Sequence, residues 1–187
     1  MKLKTLLEDC DWLHAHVLEG YNGFDELATF FDGLGISPHK TIFGSEAFVL
    51  FYGDRVMKVG IGPCLQFPYK GIIQPLAQME FGDLSYEEFP VANPIKSRKA
   101  AVKMAAYLFV KYDLLIWDIA TRNVGVLVES DGLNKAGDVV LIDYGAILET
   151  DDEDVVFVEE TRKELQDLVR HYDPRSVRIA PRFRVFC

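Results

Sequence analysis

The spacing of apolar residues in the first part of the chain predicts helices. Residues 3–18 and 24–34 both repeat their large apolar side chains at helical spacing. In the second segment the repeat consists of Phe24, Leu27, Ala28 and Phe31. Gly33 and Gly35 favour the end of that helix, because glycine readily adopts the conformations that terminate helices. We therefore predict an N-terminal helical segment over residues 1–40.

From residue 41 the pattern changes to short runs of β-branched and aromatic residues. Three such runs occupy residues 41–43, 47–52 and 55–59, and a Gly-Asp pair marks a turn between the last two. This pattern predicts an antiparallel meander, with a further short strand at residues 72–76. The intervening residues 60–71 contain three glycines and two prolines. Because proline removes a backbone donor and clashes with the preceding turn, no long helix is expected there.

The second half of the chain begins with another predicted helix. Ser97 is typical of a helix N-cap, and the residues after it place an apolar stripe on one side and lysines on the other. The stripe consists of Ala101, Met104, Ala105, Leu108 and Phe109. Residues 124–128 and 139–142 then form a predicted hairpin around Asp131-Gly132.

The order of these elements predicts an α+β protein with two lobes. Helices, a meander, a helix and a hairpin follow one another along the chain. We expect an N-terminal helical segment at residues 1–40, a small β-rich lobe with a hinge at 41–95, and a second lobe with the hairpin at 96–187.

Composition narrows the classes of function. The 187 residues are 49% hydrophobic and 26% charged, which is typical of a soluble globular protein that can bury a core. The net charge of −9 argues against non-specific binding to nucleic acid, which requires a cationic surface. The same charge fits a basic protein partner.

Cysteine usage and hydropathy indicate a compartment. The three cysteines are odd in number and far apart, which argues against a disulfide framework and indicates a reducing environment. Acidic residues interrupt the first apolar run before it reaches the length of a signal peptide. The most apolar later stretch, residues 100–117, contains Lys103 and Lys111, so no membrane span is predicted. We expect a cytoplasmic protein.

Candidate chemistry lies in three short elements. Asp118 is followed by Asn123 immediately before a predicted strand, and Asp143-Tyr144-Gly145 ends the next strand. Lys58 lies in the last strand of the meander. In this order, the three elements resemble the catalytic loop, the metal-binding Asp-Phe-Gly element and the lysine-bearing strand of protein kinases. The chain is similar in particular to small, minimal kinases encoded by bacteriophages and bacterial effectors.

The resemblance, which covers about residues 41–148, implies a fold and a reaction. The fold is a minimal two-lobed protein-kinase-like fold with a reduced C-lobe and no regular αC helix. The reaction is ATP-dependent transfer of the γ-phosphate to a Ser, Thr or Tyr hydroxyl of a protein. A phage or effector enzyme would act on host proteins in the host cytoplasm. The implied cofactors are ATP and Mg²⁺.

The resemblance also implies roles for individual residues. Asp118 orients the attacking hydroxyl, Asn123 and Asp143 hold Mg²⁺, and Lys58 contacts the phosphates. Three further positions are expected to bind the nucleotide: Gly44, Met79 and Leu127. For Met79 and Leu127, apolar core is an equally open interpretation.

The chain departs from the kinase pattern at the lysine and in the regulatory elements. Trp117 stands where the arginine of the catalytic loop is usual, and no Ala-Pro-Glu motif follows Gly145. Control by a phosphorylated activation segment is therefore not expected. Residues 60–71 leave no room for the helix that carries the glutamate partner of Lys58. Other carboxylates are candidates for that pairing: Glu19, Asp25, Glu26, Glu46 and Glu80.

Two other functions stay open at the level of the sequence. A pseudokinase would bind a partner protein through the same scaffold without catalysis. The departures favour it, whereas the intact set of Lys58, Asp118, Asn123 and Asp143 favours an enzyme. An acidic decoy would block a nucleic-acid-binding host protein through its charge alone. The less favoured alternative is that the four polar residues only cap strands and turns.

Overall fold

The computed structural model describes residues 33, 35, 40–43, 47–81, 84–148 and 155–171. The chain forms two compact units. The N-terminal unit lies within Met1–Gln66 and Pro75–Val91, and the C-terminal unit lies within Phe67–Gln74 and Ala92–Cys187. The helix predicted at residues 3–18, and the one at 24–34 apart from Gly33, lie outside the described residues.

Among the described residues, the N-terminal unit forms a five-stranded antiparallel sheet. Its strands are β1 (Lys40–Phe43), β2 (Ala47–Tyr52), β3 (Arg55–Ile61), β4 (Ala77–Phe81) and β5 (Leu84–Pro90). They lie side by side in the order β1-β2-β3-β5-β4. The predicted meander is confirmed as β1–β3. Its tight turn has Gly53 at a φ of 54°, a left-handed conformation that suits glycine.

Alternation along the strands gives this sheet a buried apolar face. Met57 and Val59 on β3, and Leu84 and Tyr86 on β5, share that face and are almost inaccessible to water. Burying each such apolar side chain stabilises the fold by about 1.5–3 kcal/mol. Because a slip of one residue would turn all of them outward, this face fixes the register. Lys58, between two of these residues, therefore points to the opposite face.

The prediction of a strand at residues 72–76 is wrong. Ile72 forms only an isolated bridge with Leu141, and Pro75 has no N–H group with which to continue a ladder. The next strand, β4, begins only at Ala77, and the sequence pattern predicts neither β4 nor β5. The segment between β3 and β4, all of which is described, contains no helix, as its glycines and prolines predict.

The described part of the C-terminal unit contains two helices, α1 (Arg98–Tyr112) and α2 (Val155–His171). Ser97 caps α1 as predicted, and its Oγ accepts a hydrogen bond from the backbone N–H of Ala100 (3.4 Å). Most of the predicted stripe is buried: Ala101, Met104, Ala105 and Leu108. Arg162 on α2 pairs with Asp113, which caps the end of α1 (3.0 Å). Within the described residues, no helix is long and apolar enough to cross a membrane.

Two small antiparallel sheets complete this unit. The strands are β6 (Ala92–Pro94), β7 (Leu115–Ile116), β8 (Val124–Leu127), β9 (Val139–Leu141) and β10 (Ile147–Leu148). They pair as β6-β8-β9 and as β7-β10. The predicted hairpin is confirmed as β8–β9. At Gly125 a Cβ atom would lie 2.9 Å from that of Ala92, so glycine allows β6 to approach β8. The α+β class is confirmed by the helices and antiparallel sheets of the described residues.

Candidate functional site

The first part of the candidate site is the loop between β7 and β8. Asn123 Nδ2 donates hydrogen bonds to the backbone oxygen of Asp118 (3.0 Å) and to Asp118 Oδ2 (2.9 Å). Arg122 Nη2 donates to the same Oδ2 (2.5 Å). The spacing along the sequence thus closes the loop on itself through a 3-10 turn at Thr121–Asn123. Asp118 Oδ1 accepts no hydrogen bond from the described residues.

Asn123 is almost fully buried, with 3% of its surface exposed. Both hydrogens of its amide are donated to Asp118, which fixes the orientation of the group, because only the nitrogen can serve two acceptors. Its Oδ1 accepts no hydrogen bond within the described part of the chain. A buried acceptor without a donor costs about 1–3 kcal/mol. The arrangement therefore leaves a fixed, open oxygen in the site.

Asp143 follows β9 and is half-buried. Its Oδ1 accepts a hydrogen bond from the backbone N–H of Gly145 (3.1 Å), which begins a 3-10 turn at Tyr144–Ala146. No described residue donates to its Oδ2. The backbone N–H of Ile142 donates to the backbone oxygen of Asn123 (2.8 Å). The β8–β9 hairpin therefore brings Asn123 beside the residue that precedes Asp143.

These open oxygens fit a magnesium ion by their chemistry. Mg²⁺ prefers hard oxygen ligands, keeps several of its waters, and takes one or two protein groups together with substrate phosphates. Asn123 Oδ1 and Asp143 Oδ2 supply one amide and one carboxylate oxygen of this kind. In the described residues, no group of three or more histidines, cysteines and acidic residues is placed to hold a metal.

Side chains on both sides fix the Asp143-Tyr144-Gly145 element. The Tyr144 hydroxyl donates to the backbone oxygen of Ile73 (2.5 Å), and its ring meets the edge of Phe67 with centroids 5.3 Å apart. Trp117 Nε1 donates to the backbone oxygen of Gly145 (2.8 Å). Pairing of β7 with β10 continues this contact. The segment before Asp118 and the segment after Asp143 are thereby bonded to each other.

Lys58 lies on β3 in the N-terminal unit and is half-buried. The residue directly opposite on β5 is Glu87, of which only 5% is exposed. Gln78 on β4 lies opposite Glu87 and donates from Nε2 to Glu87 Oε1 (2.8 Å). Burial raises the pKa of Glu87, whereas the hydrogen bond from Gln78 and the positive charge of Lys58 oppose that rise.

The sequence pattern does not identify Glu87 as a candidate partner of Lys58. Among the carboxylates suggested as partners of Lys58, only Glu80 lies in the described residues; Glu19, Asp25, Glu26 and Glu46 lie outside them. Glu80 is exposed, and its Oε1 accepts from the backbone N–H of Cys64 (3.0 Å). Glu87 could have been found only by predicting β5 and its register with β3.

The predicted nucleotide-binding positions fall in different places. Gly44 lies outside the described residues. Met79 on β4 is opposite Tyr86, so it lies on the sheet face away from Lys58. Leu127 is buried in β8 of the C-terminal unit, opposite Ala92. Met79 and Lys58 therefore do not share a face of the sheet.

Comparisons with known proteins give similarity in structure only. No protein family and no curated protein matches the sequence. A 2.2 Å crystal structure of WbdD aligns with 70% of this chain and 37% of its own, at 14% identity and a TM-score of 0.44. A second structure, of the bifunctional kinase-methyltransferase WbdD, aligns with 66% of this chain and 35% of its own, at 15% identity and a TM-score of 0.40. WbdD with the kinase inhibitor LY294002 gives 15% identity, 66% and 37% coverage, and a TM-score of 0.41. The chain thus spans little more than a third of the length of the structures to which it is similar.

Proposed function

We propose that this protein is a Mg²⁺- and ATP-dependent kinase that transfers the γ-phosphate to a Ser, Thr or Tyr hydroxyl of a protein. One observation carries the proposal. Asn123 is buried, both of its amide hydrogens are donated to Asp118, and its Oδ1 accepts no hydrogen bond from the described residues, while its backbone oxygen is bonded to the residue that precedes Asp143. A residue that merely capped a turn would not need a buried acceptor left without a donor.

Asp118 receives the proton of the acceptor hydroxyl in this proposal. Its Oδ2 is fixed by Asn123 and Arg122, while its Oδ1 is free of hydrogen bonds from described residues and can accept one from a hydroxyl. A positioned carboxylate of this kind contributes about 10²–10⁴-fold to a rate. The fixed rotamer matters because phosphoryl transfer depends mainly on positioning.

Asn123 Oδ1 and Asp143 Oδ2 are the groups that would hold the metal. Mg²⁺, when bound, neutralises the charge that develops on the phosphate oxygens. In the N-terminal unit, Lys58 supplies a cation for the phosphates. Bound Mg²⁺ and the Lys58 ammonium each favour an anionic nucleotide, which the chain's net charge of −9 would otherwise repel.

A second candidate is a pseudokinase that binds a nucleotide or a partner protein without transferring phosphate. Lys58 Nζ makes no hydrogen bond or ion pair with any described residue, and no helix lies between β3 and β4 to supply a carboxylate. An unpositioned lysine binds phosphate more weakly and favours this alternative.

Incorporation of radiolabel separates these possibilities. The full chain is incubated with γ-labelled or α-labelled ATP, with and without Mg²⁺, in the presence of casein and degenerate peptides that contain Ser, Thr or Tyr. We expect label from γ-labelled ATP only, dependent on Mg²⁺ and lost in Asp118→Asn and Asp143→Asn. Asp167→Asn, which changes a surface carboxylate on α2, is the matched control and should keep the wild-type rate.

The other outcomes redirect or end the proposal. Label from α-labelled ATP would indicate nucleotidyl transfer. A rise in melting temperature with Mg-ATP but no incorporation would favour the pseudokinase. If neither is seen, the kinase and the nucleotide-binding pseudokinase both fail.

A further inference from the structure

Glu87 is a buried carboxylate with half of its hydrogen-bonding capacity unused. Only 5% of the residue is exposed, and Oε1 is bonded to Gln78 Nε2. Oε2 accepts no hydrogen bond from the described residues. A buried carboxylate is stable in its charged form only when it is paired or fully hydrogen-bonded. Burial without a further partner raises the pKa of Glu87, and a cation beside the open oxygen is the donor that favours the charged form.

The strand register places such a cation directly opposite. Lys58 on β3 faces Glu87 on β5, and directly opposed residues of an antiparallel pair project from the same face with Cβ atoms about 4.5–5.5 Å apart. Lys58 Nζ has no hydrogen bond or ion pair with any described residue. A half-buried ammonium and a buried carboxylate oxygen, both without partners in the described residues, thus occupy neighbouring positions on one face.

Other charged groups on this face are already engaged. Glu80 on β4 accepts a hydrogen bond from the backbone of Cys64. Lys40 on β1 lies opposite Phe51, and its ammonium sits over that ring, 5.0 Å from the centroid. These two residues share the face and the charge types of Glu87 and Lys58 but not their mutual position. They serve as matched controls.

We propose that Glu87 is the positioning residue for Lys58: Glu87 Oε2 accepts a charge-assisted hydrogen bond from Lys58 Nζ, while Gln78 holds Oε1. This assignment rests on the proposed function for its kinetic consequence, since Lys58 is there the contact to the phosphates. The ammonium sits on a flexible stem, and an acceptor fixed within the sheet limits the positions it can take. Glu87 acts through Lys58 and does not contact substrate.

The first test does not depend on catalysis. The side-chain ammonium signal of Lys58 is observed by NMR in the full chain labelled at lysine, and it is assigned from Lys58→Arg. Glu87→Gln should speed the exchange of the ammonium protons with water, because a neutral amide holds the ammonium less firmly than a carboxylate does. Glu80→Gln should leave the exchange rate within error of the wild-type value. An unchanged rate in Glu87→Gln, or an equal rise in Glu80→Gln, would overturn the assignment.

The second test uses the reaction and separates positioning from a structural role. Glu87→Gln should raise KM for Mg-ATP about tenfold, the size expected for one hydrogen bond to a charged group, whereas Glu80→Gln and Lys40→Met should stay within twofold. Adding Glu87→Gln to Lys58→Met should have no further effect, because the pair acts as a unit. Additive effects would contradict the pairing.

Failure of the inference and failure of the proposed function have different signatures. If Glu87→Gln unfolds, as judged by circular dichroism, Glu87→Asp keeps the charge and should keep the exchange of the Lys58 ammonium protons slower than in Glu87→Ala. If the wild type transfers no phosphate, the proposed function fails and the NMR experiment alone decides whether Glu87 positions Lys58.

Discussion

The candidate site residues of the two units differ in the hydrogen bonds that hold them. In the C-terminal unit, Asp118 is bonded to Asn123 and Arg122, all within one short loop. In the N-terminal unit, Lys58 faces Glu87 across two strands with no hydrogen bond between them in the structure. The first group is held in one arrangement by its own hydrogen bonds. The second has the two components of an ion pair without a bond between them.

The difference follows from the distance along the chain over which each group is built. A loop of a few residues can bring its own side chains together, because local hydrogen bonds and a single turn decide its shape. A pair across strands requires the register of the whole sheet, which the buried face sets through Met57 and Tyr86. We therefore expect changes in the C-terminal group to act on chemistry and changes in the N-terminal pair to act on binding.

The largest effect is expected from a substitution of Asp118 in the C-terminal unit, where the candidate site residues are hydrogen-bonded to each other. Asp118→Asn keeps an oxygen to accept from Asn123 but cannot take up a proton, so kcat should fall about 10²–10⁴-fold with little change in the affinity for Mg-ATP. Steady-state kinetics with thermal shift as the measure of binding checks this. Arg122→Gln, which removes one of the two groups that donate to Asp118 Oδ2, should cost far less, because Asn123 still donates to that oxygen. Loss of nucleotide binding in Asp118→Asn would show that the residue is structural.

The second effect is on stability and concerns the hydrogen bonds that Asp131 makes with Gln74 and Asn134 in the C-terminal unit. Asp131 is buried and accepts hydrogen bonds from the backbone of Gln74 (2.8 Å) and from Asn134 Nδ2 (2.9 Å), besides two from its own loop. Asp131→Ala leaves these donors without an acceptor and should lower the free energy of unfolding by about 3 kcal/mol in a urea titration.

Asp138 provides the matched control for that experiment. It is buried in the same loop, yet its side chain accepts only from the backbone of Lys135 (3.0 Å) among the described residues. Asp138→Ala should cost about 1 kcal/mol. Equal losses in the two variants would mean that the contacts with Gln74 and Asn134 add nothing to stability.

The sequence predicts the local parts of this structure and misses the parts that depend on distant partners. The β1–β3 meander, the cap and buried stripe of α1, and the β8–β9 hairpin are all predicted, because each shows its own periodicity or turn residues. The segment that forms β5 is buried on both sides at Leu84 and Ser85, so it lacks the alternation that identifies strands. Glutamates and a terminal proline weaken its strand propensity further.

The missed second helix has a different cause. Val158, Thr161 and Leu165 of α2 are buried at helical spacing, so the pattern is present, but most of the other positions of this helix are charged or polar, which weakens the apolar signal. In the site, the contact of Asp118 with Asn123 follows from their spacing, whereas Asn123 and Asp143 stay predictions as ligands of a metal. Glu87 required a register that no local pattern contains.

A smaller effect is expected at Trp117, which joins the two loops of the C-terminal group. Trp117→Phe retains an aromatic ring near Phe157 (6.1 Å between centroids) but loses the exposed hydrogen bond to Gly145. The free energy of unfolding should fall by about 1 kcal/mol or less.

Trp117 also occupies the position at which a kinase arginine would bind a phosphorylated segment. Phosphatase treatment of the wild type should therefore leave its rate unchanged. Loss of most activity after that treatment would contradict control without phosphorylation.

The smallest effect is expected for Glu87 in the N-terminal unit, and it is measured as a dependence of stability on pH. Burial raises the pKa of Glu87 above that of an exposed glutamate, so the folded chain binds this proton more tightly than the unfolded chain does. The contribution is present at low pH and is lost as pH rises through the folded pKa. Glu87→Gln does not titrate, so the variant should gain stability relative to the wild type as the pH rises above about 4 and through the folded pKa of Glu87. The gain should be modest, because Gln78 and Lys58 oppose the rise, and it should increase in a Lys58→Met background, where one of those opposing causes is removed. Urea titrations of the four proteins across this range measure it. If the difference in the free energy of unfolding between the variant and the wild type does not change with pH, Glu87 is not a desolvated carboxylate. The contrast between the two units would then no longer hold for the N-terminal unit.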